Sequence, residues 1–455
     1  MDAGAKTRGA GEGLDAKLEE NDSDAAIAAA VTDDLAEREA AYEKFVWDNL
    51  RRNYLGNYLH GMLGMTGFRL VNAPTFLPAY LFAVSGSNGI VGLGLALQQL
   101  GGVISPIFGA TKIEHRTKVM PAAVWMGSLG RLAILGMALA GWFLSGQPLV
   151  WALLFFILMF GVFMGAQRVV FSLLMSKVIP ISRRGRLQAW RNATGGLIAA
   201  ILAWVAGKYF IEPDLFGNGY STTFLFAFFL TSLGLWALQI LLKEPEPPTT
   251  RPQARFRDRL REFPALIAQD RAYGFFLLVQ MLATSARIAT PFYILYVGRQ
   301  IGADGATIGL LTFAFLGADT ASNLLWGYLG DKTGFKLVLT ISLIGWTIAT
   351  LMLLNFHHGA AVFAAFAVLG ASLSGYMMAS QTMILEFGSR DDLPMRIAVS
   401  ATAESITATA GPLAGGIIAE LFGYDVVFVA SLGFLAAAFV ILVTAVRDPR
   451  RKLAV

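Results

Sequence analysis

Apolar stretches long enough to cross about 30 Å of hydrocarbon recur twelve times, and this repetition restricts the fold more than any other feature of the chain. They run over 53–83, 88–111, 119–143, 148–178, 188–210, 221–243, 271–298, 304–330, 336–356, 359–387, 394–421 and 424–446. A backbone inside hydrocarbon has no water to satisfy its N–H and C=O groups, so such runs are either helices or strands of a closed barrel. Barrel strands are far shorter and alternate in polarity, which leaves helices. Composition points the same way: 55% of the 455 residues are hydrophobic and 15% charged, where soluble domains carry about 25% charged residues. Too few charges remain to clothe such a core in water. The expected class is an all-α integral membrane protein of twelve transmembrane helices.

Several functions are excluded by what is missing. The chain has no cysteine, which removes disulfides and thiolate metal sites. Its histidines, His60, His115, His357 and His358, have no ligand spacing beyond the adjacent pair, so no metal is expected. Nucleophile motifs, clustered acids at a membrane face and phosphate-binding glycine loops are absent, so neither an enzyme nor a cofactor is expected. A net charge of +5 could suggest nucleic acid as a partner, but the cations flank the apolar runs, as membrane insertion requires. The first 50 residues are polar and often acidic, unlike the basic start and short apolar run of a secretory signal. Residues 1–24 read as disordered and 25–50 as a helix leading to the membrane.

Lysine and arginine set the orientation. One set of loops carries Lys112, Arg116 and Lys118, then Lys177, Arg183, Arg184 and Arg186, then Lys332 and Lys336, then Arg390 and Arg396, and the C-terminus adds Arg447, Arg450, Arg451 and Lys452. The opposite loops hold little beyond Lys208 and Arg299. The positive-inside rule places both termini and the basic loops in the cytoplasm. The Pro- and Arg-rich stretch 244–270 reads as a cytoplasmic linker dividing six helices from six. The resulting domains are an N-terminal extension, 1–52; a first bundle, 53–243; the linker; a second bundle, 271–446; and a basic tail, 447–455. A shift of 218 residues superposes FGATKIEHRTKV (108–119) on WGYLGDKTGFKL (326–337), bringing Gly109 onto Gly327 and Lys118 onto Lys336. The same shift brings Arg69 onto Arg287, which makes the halves internal repeats.

GYLGDKTGFK (327–336) resembles the signature of the major facilitator superfamily between helices 2 and 3 and between helices 8 and 9, through Gly327, Asp331, Lys332, Gly334 and Lys336. GPLAGGIIAELFG (411–423) is similar to a small-residue signature of its helix 11. The first-half copy departs from the pattern, with Ile113 where Asp is expected and Glu114 one place later. The resemblance spans roughly 50–446. It implies two pseudo-symmetric six-helix bundles that rock about a midplane site, and a secondary active transporter in the cell inner membrane. The signature residues, with Arg168 on helix 4, are then candidates for gating. Its partners would be a small molecule, protons and membrane lipids, with the protein a monomer.

Ionisable groups near the bilayer centre cost several kcal/mol and so each requires a reason. Six stand out: Arg69, Arg131, Arg168, Arg287, Asp319 and Glu404. Arg69 and Arg287 occupy matched positions on helices 1 and 7, which in the superfamily line the central cavity. Facing guanidinium groups would make a receptor for a carboxylate or phosphate, hence an organic anion as substrate. The alternative is that each arginine pairs with a buried carboxylate; Asp319, on the next helix, is the candidate partner for Arg287, while the first six helices offer Arg69 none. Asp319 and Glu404 are candidate proton-coupling sites, or else members of structural ion pairs. Asn72, Gln280 and Tyr293 are candidate substrate contacts, against interhelical hydrogen bonding. Pro74 and Pro291 are expected to kink helices 1 and 7 beside the matched arginines. A proton-driven exporter of drugs or amphipathic lipids, with structural arginines, is the other transport reading. A membrane receptor or scaffold without flux is the remote one.

Overall fold

The computed structural model describes residues 34, 36–113, 117–246, 270–302, 304–387 and 393–446. The expected linker over 247–269, the basic tail over 447–455, the N-terminal 1–33 and Glu114 lie outside them. Twelve helical spans follow the hydropathy pattern in order. Spans 1 to 6 are Leu50–Ser85 (interrupted), Asn88–Ile113, Met120–Phe143, Gly146–Val178, Ile181–Ile211 and Gly219–Leu241. Spans 7 to 12 are Arg271–Ile301 (interrupted), Gly305–Thr333, Phe335–Asn355, Gly359–Ile384, Leu393–Phe422 and Tyr424–Thr444. Ten of the described helices are long and apolar enough to cross a membrane. Span 1 is more polar, with Asn53, Asn57, His60 and Arg69 along its length.

Local chemistry sets the span ends. Spans 6, 7, 8 and 10 begin at Asn218, Asp270, Asp304 and His358, whose side chains accept the orphan N–H of the first turn. Gly334, at φ 93°, turns the chain between spans 8 and 9, a conformation that other residues rarely adopt. Span 5 starts at Ile181 rather than the 188 expected from hydropathy. Its first turns carry Arg183, Arg184 and Arg186, which continue the helix beyond the apolar part. Hydropathy marks only the lipid-embedded portion, whereas backbone hydrogen bonding continues past it.

Spans 1 and 7 do more than kink. Span 1 breaks between Leu50–Asn72 and Phe76–Ser85, at Pro74. Span 7 breaks between Arg271–Ala286 and Phe292–Ile301, through a tight turn at Arg287–Ala289 that leads to Pro291. Proline removes a donor and clashes with the preceding turn, so both helices open beside their arginine.

Within the first half, span 1 packs on spans 5 and 6, and span 4 on spans 2 and 3. In the second half, span 10 packs on spans 8 and 9, and span 7 on spans 11 and 12. The halves meet chiefly through two pairs, span 2 on span 11 and span 5 on span 8, with lesser contacts of span 1 on spans 7 and 8. Small residues allow both approaches. A Cβ on Gly92 would lie 2.9 Å from the Gly416 Cα, and one on Gly309 would lie 2.8 Å from the Gly207 Cα. These contacts sit at the span ends away from the basic loops. Near the basic-loop end of span 8, a Cβ on Gly327 would meet open space.

Candidate functional site

A cavity of about 440 Å³ lies between the halves, with Arg69, Asn72, Arg287, Asp319, Asn323 and Gln381 among its lining residues. A smaller one of about 190 Å³ shares Asn72, Pro74, Arg287 and Thr290 with it and adds Gln98 and Gln99. The breaks in spans 1 and 7 therefore open onto one polar space. Asn72 donates to the Phe68 carbonyl at 2.8 Å and accepts from Gln98 Nε2 at 2.6 Å.

The two arginines differ in their partners. Arg69 Nη1 donates to Asp319 Oδ2 at 2.6 Å and to the Thr320 hydroxyl at 3.0 Å, joining span 1 to span 8 across the halves. The expected partnership of Asp319 with Arg287 is therefore corrected: Asp319 pairs with Arg69. The reason is the path of span 8, which packs on span 5 beside span 1 and turns Asp319 toward the opposite half. Gly196 on span 5 makes room, since a Cβ there would lie 2.9 Å from Arg69 Nη1 and would meet the Thr320 hydroxyl. Arg287 forms no salt bridge with a described carboxylate. The internal repeat explains the asymmetry: subtracting 218 from 319 gives 101, and residue 101 is glycine. Where the first half would carry the counterpart of Asp319, Gly101 instead packs against span 4, where a Cβ would lie 2.5 Å from Val162 N.

The other expected site residues divide between the cavity and the helix packing. Gln280 and Tyr293 are buried to about 1% exposure and are absent from the cavity lining, which counts against their placement as substrate contacts. Gln280 Nε2 donates to the Ser380 carbonyl at 3.3 Å and its Oε1 accepts from Ser400. The Tyr293 hydroxyl shares a 2.7 Å hydrogen bond with Thr350, and its ring lies 4.9 Å from that of Phe428. An amide or phenol without water must find a partner in a neighbouring helix, and both do. Glu404, partly buried on span 11, is within electrostatic reach of the Tyr376 hydroxyl, as is Arg287. Tyr376 in turn shares a 3.0 Å hydrogen bond with Thr284 and donates to the Gln280 carbonyl at 3.2 Å.

Arg131 is buried to 1% exposure and donates to the carbonyls of Thr231 and Gly127 at 2.7 and 2.6 Å, with its guanidinium 5.4 Å from the Phe68 ring centre. It packs spans 1, 3 and 6 together and does not reach for the membrane surface. Arg168 is exposed on span 4. In the signature loop, Lys336 Nζ donates to the Val446 carbonyl at 2.6 Å, tying the end of span 12 to span 9, and Lys332 stands 5.9 Å from the Tyr328 ring centre. Arg396, counted with the basic loops, is buried and pairs with Asp270 at 2.9 Å. Sequence reasoning missed Thr320, Gly196 and Glu420. Glu420, at the end of span 11, accepts from the Asn88 and Gly89 N–H groups at 2.7 and 3.3 Å, capping span 2 of the other half.

The profile of the Major Facilitator Superfamily matches residues 275–455. A stretch of 166 residues is 28% identical to the multidrug resistance protein MdtG of Serratia proteamaculans (strain 568), covering 35% of this chain and 39% of that protein. A mutant form of the nucleoside transporter NupG superposes with a TM-score of 0.69 at 13% identity, over 86% of this chain and 99% of its own. A bacterial homologue of the iron transporter ferroportin, in its inward-facing state, superposes with a TM-score of 0.67 at 14% identity, over 87% and 98%. The second half of the chain, residues 275–455, thus matches the Major Facilitator Superfamily profile, and both halves share the fold of these solved transporters.

Proposed function

We propose that the protein is a secondary transporter for a small organic anion, with Arg287 as its fixed anion contact. The observation that carries this reading is a guanidinium lining an inter-half cavity without a described carboxylate partner, opposite an arginine that has one. A half-buried cation in a polar cavity favours a ligand that supplies the missing charge. The Arg69–Asp319 pair is the device that couples the ligand to rocking. It holds spans 1 and 8 together, and an anion drawn to Arg69, or a proton taken by Asp319, would release them. Proton coupling runs through Asp319, with Glu404 beside Tyr376 as the second carboxylate. The basic loops face the cytoplasm by the positive-inside rule, so the cavity is reached from that side.

Uptake or counterflow in proteoliposomes across a panel of carboxylates and phosphate esters, with and without a pH gradient, tests this. Arg287→Ala should abolish transport of the anion found, and Asp319→Asn should remove its dependence on the gradient while exchange at equal concentrations survives. An unchanged anion affinity in Arg287→Ala would sink the reading.

Export of drugs or amphipathic lipids is the second reading. It is favoured by the similarity to MdtG and by Met65, Met377 and Met378 on the cavity wall, whose soft side chains adapt to varied apolar ligands. Efflux of a hydrophobic cation that survives Arg287→Ala would move this reading ahead.

A further inference from the structure

A groove of about 510 Å³ lies away from the central cavity, between the basic-loop ends of spans 1 and 5. Span 1 lines it with Arg51, Tyr54 and Tyr58, and span 5 with Arg183, Arg186 and Trp190. On each helix these residues recur at spacings of three and four, so each set forms one stripe along one face. The stripes are graded in depth. Arg51 and Arg183 stand at the basic-loop ends, and Tyr58 and Trp190, seven residues on, lie about 10 Å deeper along the helices. Cations therefore ring the mouth, and aromatic rings line the floor.

The three arginines are exposed and form no salt bridge with a described carboxylate, and the lining residues include no acid. Arg184, between them, is committed elsewhere, donating to the carbonyls of Ile179 and Ser176 at 2.8 and 2.6 Å. Beyond the floor, Leu197, seven residues past Trp190 on span 5, is 57% exposed, as residues facing lipid are. The gradient from cation to aromatic to aliphatic matches that of an anionic phospholipid, from phosphate through glycerol to acyl chain.

We propose that this groove is a binding site for one anionic glycerophospholipid of the leaflet that the basic loops touch. Its phosphate sits among Arg51, Arg183 and Arg186, and its acyl chain lies along Tyr54, Tyr58 and Trp190. The bound lipid staples span 1 to span 5, the two helices that carry Arg69 and Gly196 to Asp319.

The test is titration of the full-length protein in neutral detergent with phosphatidylglycerol or phosphatidylcholine, read by native mass spectrometry and by thermal unfolding. One phosphatidylglycerol should be retained in preference to phosphatidylcholine and should raise Tm. Each single change, Arg51→Gln, Arg183→Gln or Arg186→Gln, should weaken retention about fivefold, and the triple change about a hundredfold. A control triple at Lys44, Lys243 and Arg271, exposed cations of the same face, should retain the lipid as the unaltered protein does. If the triple Arg→Gln variant does not fold, the single changes decide by themselves. Equal retention of the two lipids, or single variants and controls that weaken binding alike, would overturn the site. A Tm rise of the same size with soluble glycerophosphoglycerol would make it a small-anion site and overturn the lipid assignment. Dimers that dissociate in the arginine variants whatever the lipid would give the groove to a second copy and overturn it as well.

Discussion

Asp319 and Arg69 stand about one-fifth exposed at the cavity wall, so removing either leaves an unpaired charge in a partly dry place. Arg69→Ala and Asp319→Ala should each lower thermal stability. The double variant should recover part of the loss, with a coupling energy of roughly 0.5–3 kcal/mol from the four-way cycle. Additive losses would mean that the pair contributes nothing beyond its separate side chains. Arg287 has the opposite profile. With no described carboxylate to orphan, Arg287→Ala should leave Tm nearly unchanged and weaken anion binding by about 2–5 kcal/mol, measured by calorimetry with the transported anion. Arg287→Lys should not restore it fully, because an ammonium lacks the planar fork. The sequence suggested the reverse stability order, with Arg287 as the partner of Asp319; the ion pair across the halves inverts it.

Among the elements, span 8 depends on its cap. Asp304 accepts from Thr307 N at 2.7 Å, and hydrogen bonds from the Thr307 hydroxyl and N–H hold its carboxyl below the usual carboxylate range. A carboxyl lowered on folding adds stability that is present above its unfolded value, about 3.9, and is lost as pH falls through the folded one. The Tm advantage of the natural protein over Asp304→Asn should therefore shrink as pH is lowered from 6 through 4 toward 3, while Asp304→Ala should cost about 1 kcal/mol at neutral pH. A Tm difference that stays constant with pH would remove the charge from the account. The breaks in spans 1 and 7 were legible because proline states its constraint locally. The bond that the broken span 1 makes with span 8 was not, since the partner lies 250 residues away.

For the whole molecule, the contacts between halves form one closed end. Glu420 caps span 2, and the Tyr424 hydroxyl donates to Asn88 Oδ1 at 2.7 Å beside it. Glu420→Ala removes a cap worth about 1 kcal/mol, so the population open at this end should rise about fivefold. Spin labels at Ala83 and Phe422, both exposed near that end, should report a longer distance component. An unchanged distance distribution would leave Glu420 without a part in closure. Orientation can be read on the same scaffold, since a chain without cysteine gives a clean background for single-cysteine labelling. A cysteine at exposed His357 should react with an impermeant thiol reagent from outside, and one at exposed Lys332 should not. Reversed labelling would overturn the positive-inside assignment.

The number, order and rough limits of the spans were determined by the sequence alone, because a helix in lipid must satisfy its own backbone and so declares itself by length and apolarity. The matched arginines were equally visible, as a repeat. Tertiary structure alone decided which way each polar side chain faces. Gln280, Tyr293, Asn72 and Arg69 are all polar residues on broken or apolar spans, yet the first two are spent between helices and the last two line the cavity. A fraction of a turn about a helix axis separates these outcomes, and packing against neighbours far along the chain sets that rotation. The same dependence put Asp319 on Arg69 and left Arg287 to the cavity: the second half carries the acid, the first half carries Gly101, and only docking the halves reveals which arginine it serves.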